Sequence, residues 1–147
     1  MTIFKPQFTK AEIANLQIAY QQAIYQVYDR DCTIQLQIGK SNSQLNSLLQ
    51  KYNTSTWALI TAANPYSQCL SEAENQQRHE LITEYLKYFN FTTIDAVGKD
   101  EAGAWTPEQS LFILNINLCD AIAIGREFQQ NAIVYGKSNK APQLIWL

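Results

Sequence analysis

Thr56-Trp57-Ala58-Leu59-Ile60-Thr61-Ala62 is apolar at odd and even positions alike and is stopped by Asn64-Pro65. Strict alternation marks a strand with one wet face, whereas an apolar run on both parities marks a central strand covered on both. Downstream, Leu81, Ile82, Tyr85, Leu86 and Phe89 recur at helical spacing, with Ser71, Glu72 and Glu74 at the positive end of a helix over about 71–89. A strand over 92–97, a loop over 98–107, a strand over 109–115, a helix over 118–129 and a strand over 132–136 complete the series. The order from residue 56 to 136 is βαββαβ, which predicts an α+β domain whose mixed or antiparallel sheet is ferredoxin-like. In that arrangement the first strand lies between the third and fourth and runs opposite to both.

Upstream, Thr9 and Glu12 make a capping box, and Ile13, Leu16, Tyr20, Ala23, Ile24 and Val27 follow at three- and four-residue steps, predicting a helix over 10–28. Thr33-Ile34-Gln35-Leu36-Gln37-Ile38 alternates and predicts a strand; Leu45, Leu48, Leu49 and Tyr52 predict a short helix over 43–52. The N-terminal extension therefore reads as helix, strand and short helix. Leu144-Ile145-Trp146-Leu147, after a turn-rich stretch, reads as an edge strand or packed tail. So little charge on such an edge makes it a candidate homodimer surface.

A length of 147 residues fits one domain of roughly 150 residues, large enough to build a core without metal or disulfide. Only 16% of residues are charged, and the polar surface is supplied instead by 16 Gln and 11 Asn scattered along the chain. A net charge of −2 without a Lys/Arg cluster argues against nucleic acid. The three cysteines, Cys32, Cys69 and Cys119, form no CxxC pair and suit a reducing compartment, and a single histidine, His79, argues against a zinc centre. The absence of a membrane-length apolar run and of a secretory leader predicts a soluble, cytoplasmic protein.

The polar residues gather at one end of the predicted sheet. Asn64 ends the first strand, Glu108 and Ser110 begin the third, and Gln130 and Asn131 begin the fourth. Stepping the 71–89 stripe backwards lands on Arg78 and Asn75, and Arg126 follows Ile122 by four residues, bringing polar groups from both helices. Buried polar groups must be paired, so this convergence implies a network, a ligand, or both. Glu108 and Arg126 read either as a structural ion pair or as ligand contacts. Trp105 reads as a loop anchor packed over the sheet, and His79 as a surface residue.

The motifs Thr61-Ala62-Ala63-Asn64-Pro65, Glu74-Asn75, Gly103-Ala104-Trp105 with Glu108 and Ser110, and Gly125-Arg126 with Phe128 and Gln130-Asn131-Ala132 resemble a bacterial family known as domain of unknown function 3293. The resemblance spans roughly residues 55–136. It implies no activity, substrate or cofactor.

Taken together these residues predict a site for a small polar or anionic metabolite of nucleotide-like character. Arg78 or Arg126 would hold an anionic group, while Asn64, Asn75, Ser110, Gln130 and Asn131 would read donors and acceptors. Glu108 is the one candidate general base. No phosphate loop or metal-ligand spacing identifies a cofactor. The alternative is an interaction or assembly module in which the same cluster is a structural network.

Overall fold

A computed structural model describes residues 3–147 as an α+β domain: α1 (Lys10–Gln22), β1 (Ile24–Tyr28), β2 (Thr33–Leu36), α2 (Ser43–Lys51), β3 (Thr56–Thr61), a 3-10 turn (Pro65–Ser67), α3 (Glu72–Tyr88), β4 (Thr92–Lys99), β5 (Glu108–Leu114), α4 (Leu118–Glu127), β6 (Ala132–Lys137) and β7 (Gln143–Trp146). The seven strands form one antiparallel sheet in the order β2-β1-β4-β5-β3-β6-β7. β3 lies between β5 and β6, antiparallel to both.

Both faces of the sheet are covered, which is why Trp57 through Ile60 are all buried. Ala58, Ile60, Leu111, Ile113 and Ile133 pack against Ile82 and Leu86 of α3 and Ala121 and Ile124 of α4. Trp57, Leu59, Phe112 and Leu114 pack on the other face with Leu45, Leu48 and Leu49 of α2. The sheet curls around this second core: the Gly39 amide, just past β2, donates to the Pro142 carbonyl, just before β7, at 2.9 Å. Strands at opposite ends of the order are thereby joined.

The N-terminal reading needs correction. The first helix ends at Gln22, and residues 24–28 form β1, paired with both β2 and β4. Ala23 takes extended backbone (φ −63, ψ 148), and Tyr25 and Val27 turn into the core beside Ile34 and Leu36. The extension thus contributes a helix, two strands and a short helix. β4 also runs on to Lys99, through residues expected to belong to the following loop. Leu81 and Phe89, assigned to the core stripe of α3, are exposed, whereas Ile82 and Leu86 are buried.

The C-terminal residues are tied into the domain. β7 pairs with β6, the Leu147 amide donates to the Asn131 carbonyl at 3.0 Å, and the Leu147 side chain packs against Gly125 of α4. Among the described residues no helix is long and apolar enough to cross a membrane.

Candidate functional site

The residues after β3 form an unusually bent segment. Asn64 (φ 46), Tyr66 (φ 51) and Ser67 (φ 61) all occupy left-handed backbone, which is uncommon for any residue but glycine and costs a bulky tyrosine most. Such a turn persists only when its surroundings fix it. Asn64 and Asn75 do so reciprocally: the Asn64 backbone amide donates to Asn75 Oδ1 at 2.9 Å, and Asn75 Nδ2 donates to Asn64 Oδ1 at 2.9 Å. The Leu70 amide also donates to Asn64 Oδ1 at 3.0 Å, and the Tyr66 amide to the Gln129 carbonyl at 2.8 Å.

Arg78 and Gln130 complete this brace. Arg78 Nε donates to the Ala62 carbonyl, Nη2 to the Phe128 carbonyl at 2.7 Å and Nη1 to Gln129 Oε1 at 3.3 Å. Gln130 Nε2 is shared between the Ala63 and Phe128 carbonyls, at 3.2 Å each. One guanidinium and one amide therefore tie the end of β3 to the residues that follow α4. Desolvation holds the half-buried Arg78 below the ordinary arginine value. Three of its nitrogens are committed to the protein, so Arg78 does not present the free fork that an anionic group would need.

Arg126 lies elsewhere. It is exposed, and among the described residues it makes no ion pair, with Glu108 or any other carboxylate. The physical reason is its position on α4. The buried stripe runs through Ala121, Ile124 and Gly125, so residue 126 sits about 100° away from Gly125 and turns to solvent. Of the two guanidiniums expected to hold an anionic group, one is engaged by the protein and the other faces solvent.

Beside the brace, on the α2-covered face of the sheet, lies a group with spare hydrogen-bonding capacity. Glu108 starts β5, and its Oε1 accepts from Asn64 Nδ2 at 3.0 Å, the one hydrogen bond to its carboxylate among the described residues. Ser110, two residues on, is buried and donates to the Glu108 carbonyl at 3.2 Å. Across the sheet Glu108 pairs with Gly98, and Gly98 with Tyr25. A Cβ at Gly98 would stand 3.2 Å from Tyr25 Cε1 and 4.0 Å from Ser110 Oγ, so the missing side chain lets the Tyr25 ring lean over the strand toward β5.

The last turn of α1 adds Tyr20, whose ring meets Trp146 edge-on at 5.8 Å. Burial pushes the Tyr20 phenol up and the Glu108 carboxylate adds to it, while the neighbouring Asn131 and Ser67 side chains act the other way. Tyr25 is pushed well above the ordinary phenol value, by burial first and then by Tyr20 and Glu108. Asn131 Nδ2 donates to Ser67 Oγ at 2.8 Å. Its Oδ1 is buried with no partner among the described residues, although the residue is only 6% exposed.

Asn64, Asn75, Arg78, Glu108, Gln130 and Asn131 are thus brought to one end of the sheet, with Ser110 beside them. Sequence reasoning missed Tyr20, Tyr25, Ser67 and Trp146. Trp105, from the loop between β4 and β5, packs against the core that contains Tyr25. Among the described residues no three His, Cys, Asp or Glu side chains converge to hold a metal ion. Two cavities lie away from this end, one of about 360 Å³ bordered by Tyr52, Phe89 and Asn115 and one of about 220 Å³ bordered by Asp29, Cys32 and Lys51.

Burial holds the Glu108 carboxyl above its ordinary value of 4.5, against the lowering effect of the Asn64 hydrogen bond. A raised carboxyl binds its proton more tightly in the folded chain than in the unfolded one. Its contribution to stability is therefore full below about pH 4.5 and is lost as pH rises through the folded value. Glu108→Gln keeps an acceptor for Asn64 and removes the titration. Urea unfolding from about pH 4 to pH 8 is expected to show the variant gaining on the wild type as pH rises. A difference that does not change with pH would contradict the assignment.

No curated protein and no solved structure matches the chain. A family model does, over residues 60–133, which is 74 of the 147 residues and takes in the bent segment, the brace, Glu108 and Asn131. The chain therefore belongs to the family described as Protein of unknown function, DUF3293.

Proposed function

We propose that this protein binds a small polar molecule at the Glu108 end of the sheet. One observation carries the reading: in a cluster where other amides are paired, the buried Asn131 Oδ1 has no partner among the described residues and Glu108 accepts only from Asn64. Buried acceptors are rarely left unpaired, because each forfeits its hydration. A ligand that donates to both would restore what folding removed. The reading favours donors over the anionic group expected from Arg78 and Arg126, since the first is occupied by carbonyls and the second faces solvent. Glu108, with its raised proton affinity, is the group suited to general-base work should chemistry follow binding.

The scaffold reading accompanies it. The strand order β4-β5-β3-β6, with α3 and α4 on one face, supports a ferredoxin-like unit for β3-α3-β4-β5-α4-β6, enlarged by β1, β2 and β7. Three exposed, unbridged cysteines favour a cytoplasmic setting. A second reading, an interaction module, draws on the exposed Leu81, Tyr88 and Phe89 of α3 rather than on the C-terminal edge first suggested for pairing.

A thermal-shift screen of nucleosides, amino acids, amines, sugars and sugar phosphates tests the binding reading. A ligand at 100 times its Kd adds about 2.7 kcal/mol and raises Tm by several degrees. The hit is expected to vanish in Glu108→Gln and to survive in Arg126→Ala. A blank screen, or a hit that Glu108→Gln leaves intact, overturns the reading.

A further inference from the structure

We propose a second binding site, for a neutral carbohydrate of one or two rings, in the cavity at the opposite end of the sheet from Glu108. The cavity has a volume of about 360 Å³ and forms where the C-terminal ends of α2 and α3 meet the start of β4 and the end of β5. That volume falls within the roughly 300–1,000 Å³ of small-molecule sites. Strand register fixes the place: Leu114 pairs with both Trp57 and Thr92, and the Asn115 amide donates to the Thr56 carbonyl at 2.9 Å. Asn53, Asn90 and Asn115 border the cavity, each with left-handed backbone (φ 52, 62 and 57). Chain reversal after α2, α3 and β5 accounts for asparagine at each position taken singly. It does not require that three amides border one cavity. Their backbone N–H groups are used, on the Gln50, Lys87 and Thr56 carbonyls, but no side-chain amide of the three has a hydrogen-bond partner among the described residues. An amide both donates and accepts, which matches the hydroxyls of a sugar.

The rim supplies an apolar face. Phe89, which borders the cavity, is 52% exposed, and Tyr88 beside it is 80% exposed. Their rings meet edge-on at 5.1 Å, and Tyr85 steadies Phe89 from the other side at 4.8 Å. The negative face of an aromatic ring takes the weakly positive C–H face of a pyranose and leaves the hydroxyl edge to the amides. Charge narrows the class. No residue bordering the cavity is charged, so an ionic ligand gains no partner there. The carbonyl ends of α2 and α3 disfavour an anion, and each helix already carries a lysine in its last turn, Lys51 and Lys87, which offsets the pull on a cation. A protein laid flat over Tyr88 and Phe89 would bury the three amides unpaired, whereas a polyhydroxy ligand pairs them.

The test is a nitrogen-15 NMR titration of the full chain with glucose, galactose, maltose and cellobiose, and with glucosamine and glucuronate as charged counterparts. At least one neutral sugar is expected to bind more tightly than either charged counterpart and to shift the backbone signals of Asn53, Asn90 and Asn115. Asn90→Gly and Asn115→Gly each remove an amide while leaving left-handed backbone unstrained, so each is expected to weaken that sugar about fivefold or more with Tm near the wild type. Phe89→Ala is expected to weaken it by a similar factor, while Phe89→Tyr retains binding because the ring face remains. A blank across the panel, tighter binding of a charged counterpart, or a hit indifferent to these variants overturns the proposal. So does a sugar lost in Glu108→Gln but kept in Asn115→Gly, which belongs to the other end of the sheet. A dimer that sediments in the wild type and dissociates in Phe89→Ala, with no sugar bound, gives the rings to a second copy of the chain and overturns it as well.

Discussion

Arg78→Met is expected to lower the unfolding free energy by about 3 kcal/mol and Tm by about 6–12 °C. Methionine keeps much of the arginine's apolar stem but removes the donors to the Ala62 and Phe128 carbonyls and to Gln129 Oε1. Ala62 is fully buried, so its carbonyl is left with neither protein nor water. The bent segment from Asn64 to Ser67 then loses the guanidinium that ties the chain before it to the residues after α4, and it opens first. Arg78→Lys, a single point charge in place of a planar fork, is expected to recover less than half of the loss. Urea unfolding gives the free energies, and hydrogen exchange at Leu70 and Tyr66 reports the local opening. A change below about 0.5 kcal/mol in Arg78→Met would show that solvent replaces the guanidinium.

Gly136→Ala is expected to cost about 3 kcal/mol for a different reason. β6 pairs with β3 so that Gly136 faces Trp57, and the indole lies directly over the glycine. A Cβ there would stand 2.5 Å from Cε2, Cζ2 and Nε1 of a ring that has no exposed surface and stacks on Phe112 at 4.9 Å. The ring cannot move away without disturbing the whole α2-side core, since interiors are packed as densely as crystals. The smaller ring of Trp57→Phe should relieve the contact, so the double variant is expected to lose less than the two single losses added together. Strict additivity would contradict the contact as the cause.

The end of the sheet was legible because antiparallel pairing follows from the order of elements. Once Thr56–Thr61 is read as central, its end must meet the starts of β5 and β6, which brings Asn64, Glu108, Gln130 and Asn131 together. What remained hidden depended on small rotations and short runs. Ile24 and Val27 fit both a three-residue helical step and the flank of a two-residue alternation, and five residues are too few to separate the periods. Reading β1 as helix carried Tyr25 away from Gly98 and Glu108. Arg126 and Leu81 each lie one residue, about 100°, from the buried stripe of their helix, and spacing alone does not fix where that stripe is centred. Arg78 was placed correctly at the end of the sheet, but no pattern in its neighbours foretold that its partners would be backbone carbonyls.

The Gly98 position illustrates how sequence and site are joined. It reads as the start of a loop after 92–97, whereas in the sheet it is a paired residue whose missing side chain admits Tyr25. A short run of β-formers followed by glycine predicts a strand end, yet here β1 supplies a second partner strand and β4 continues to Lys99. Tertiary pairing outweighs the local preference of glycine for turns.

One polar cluster has two halves, a brace made by Asn75, Arg78 and Gln130 and a proposed binding surface made by Glu108 and Asn131. Measuring Tm for Arg78→Met and Glu108→Gln side by side, with and without the ligand found by thermal-shift screening, tests that division most directly. The expected result is a lowered Tm in Arg78→Met, and in Glu108→Gln a Tm no lower than the wild type together with loss of the ligand-induced rise. A Tm lowered equally in both variants, with the ligand-induced rise intact in Glu108→Gln, would contradict it and make the whole cluster a structural network.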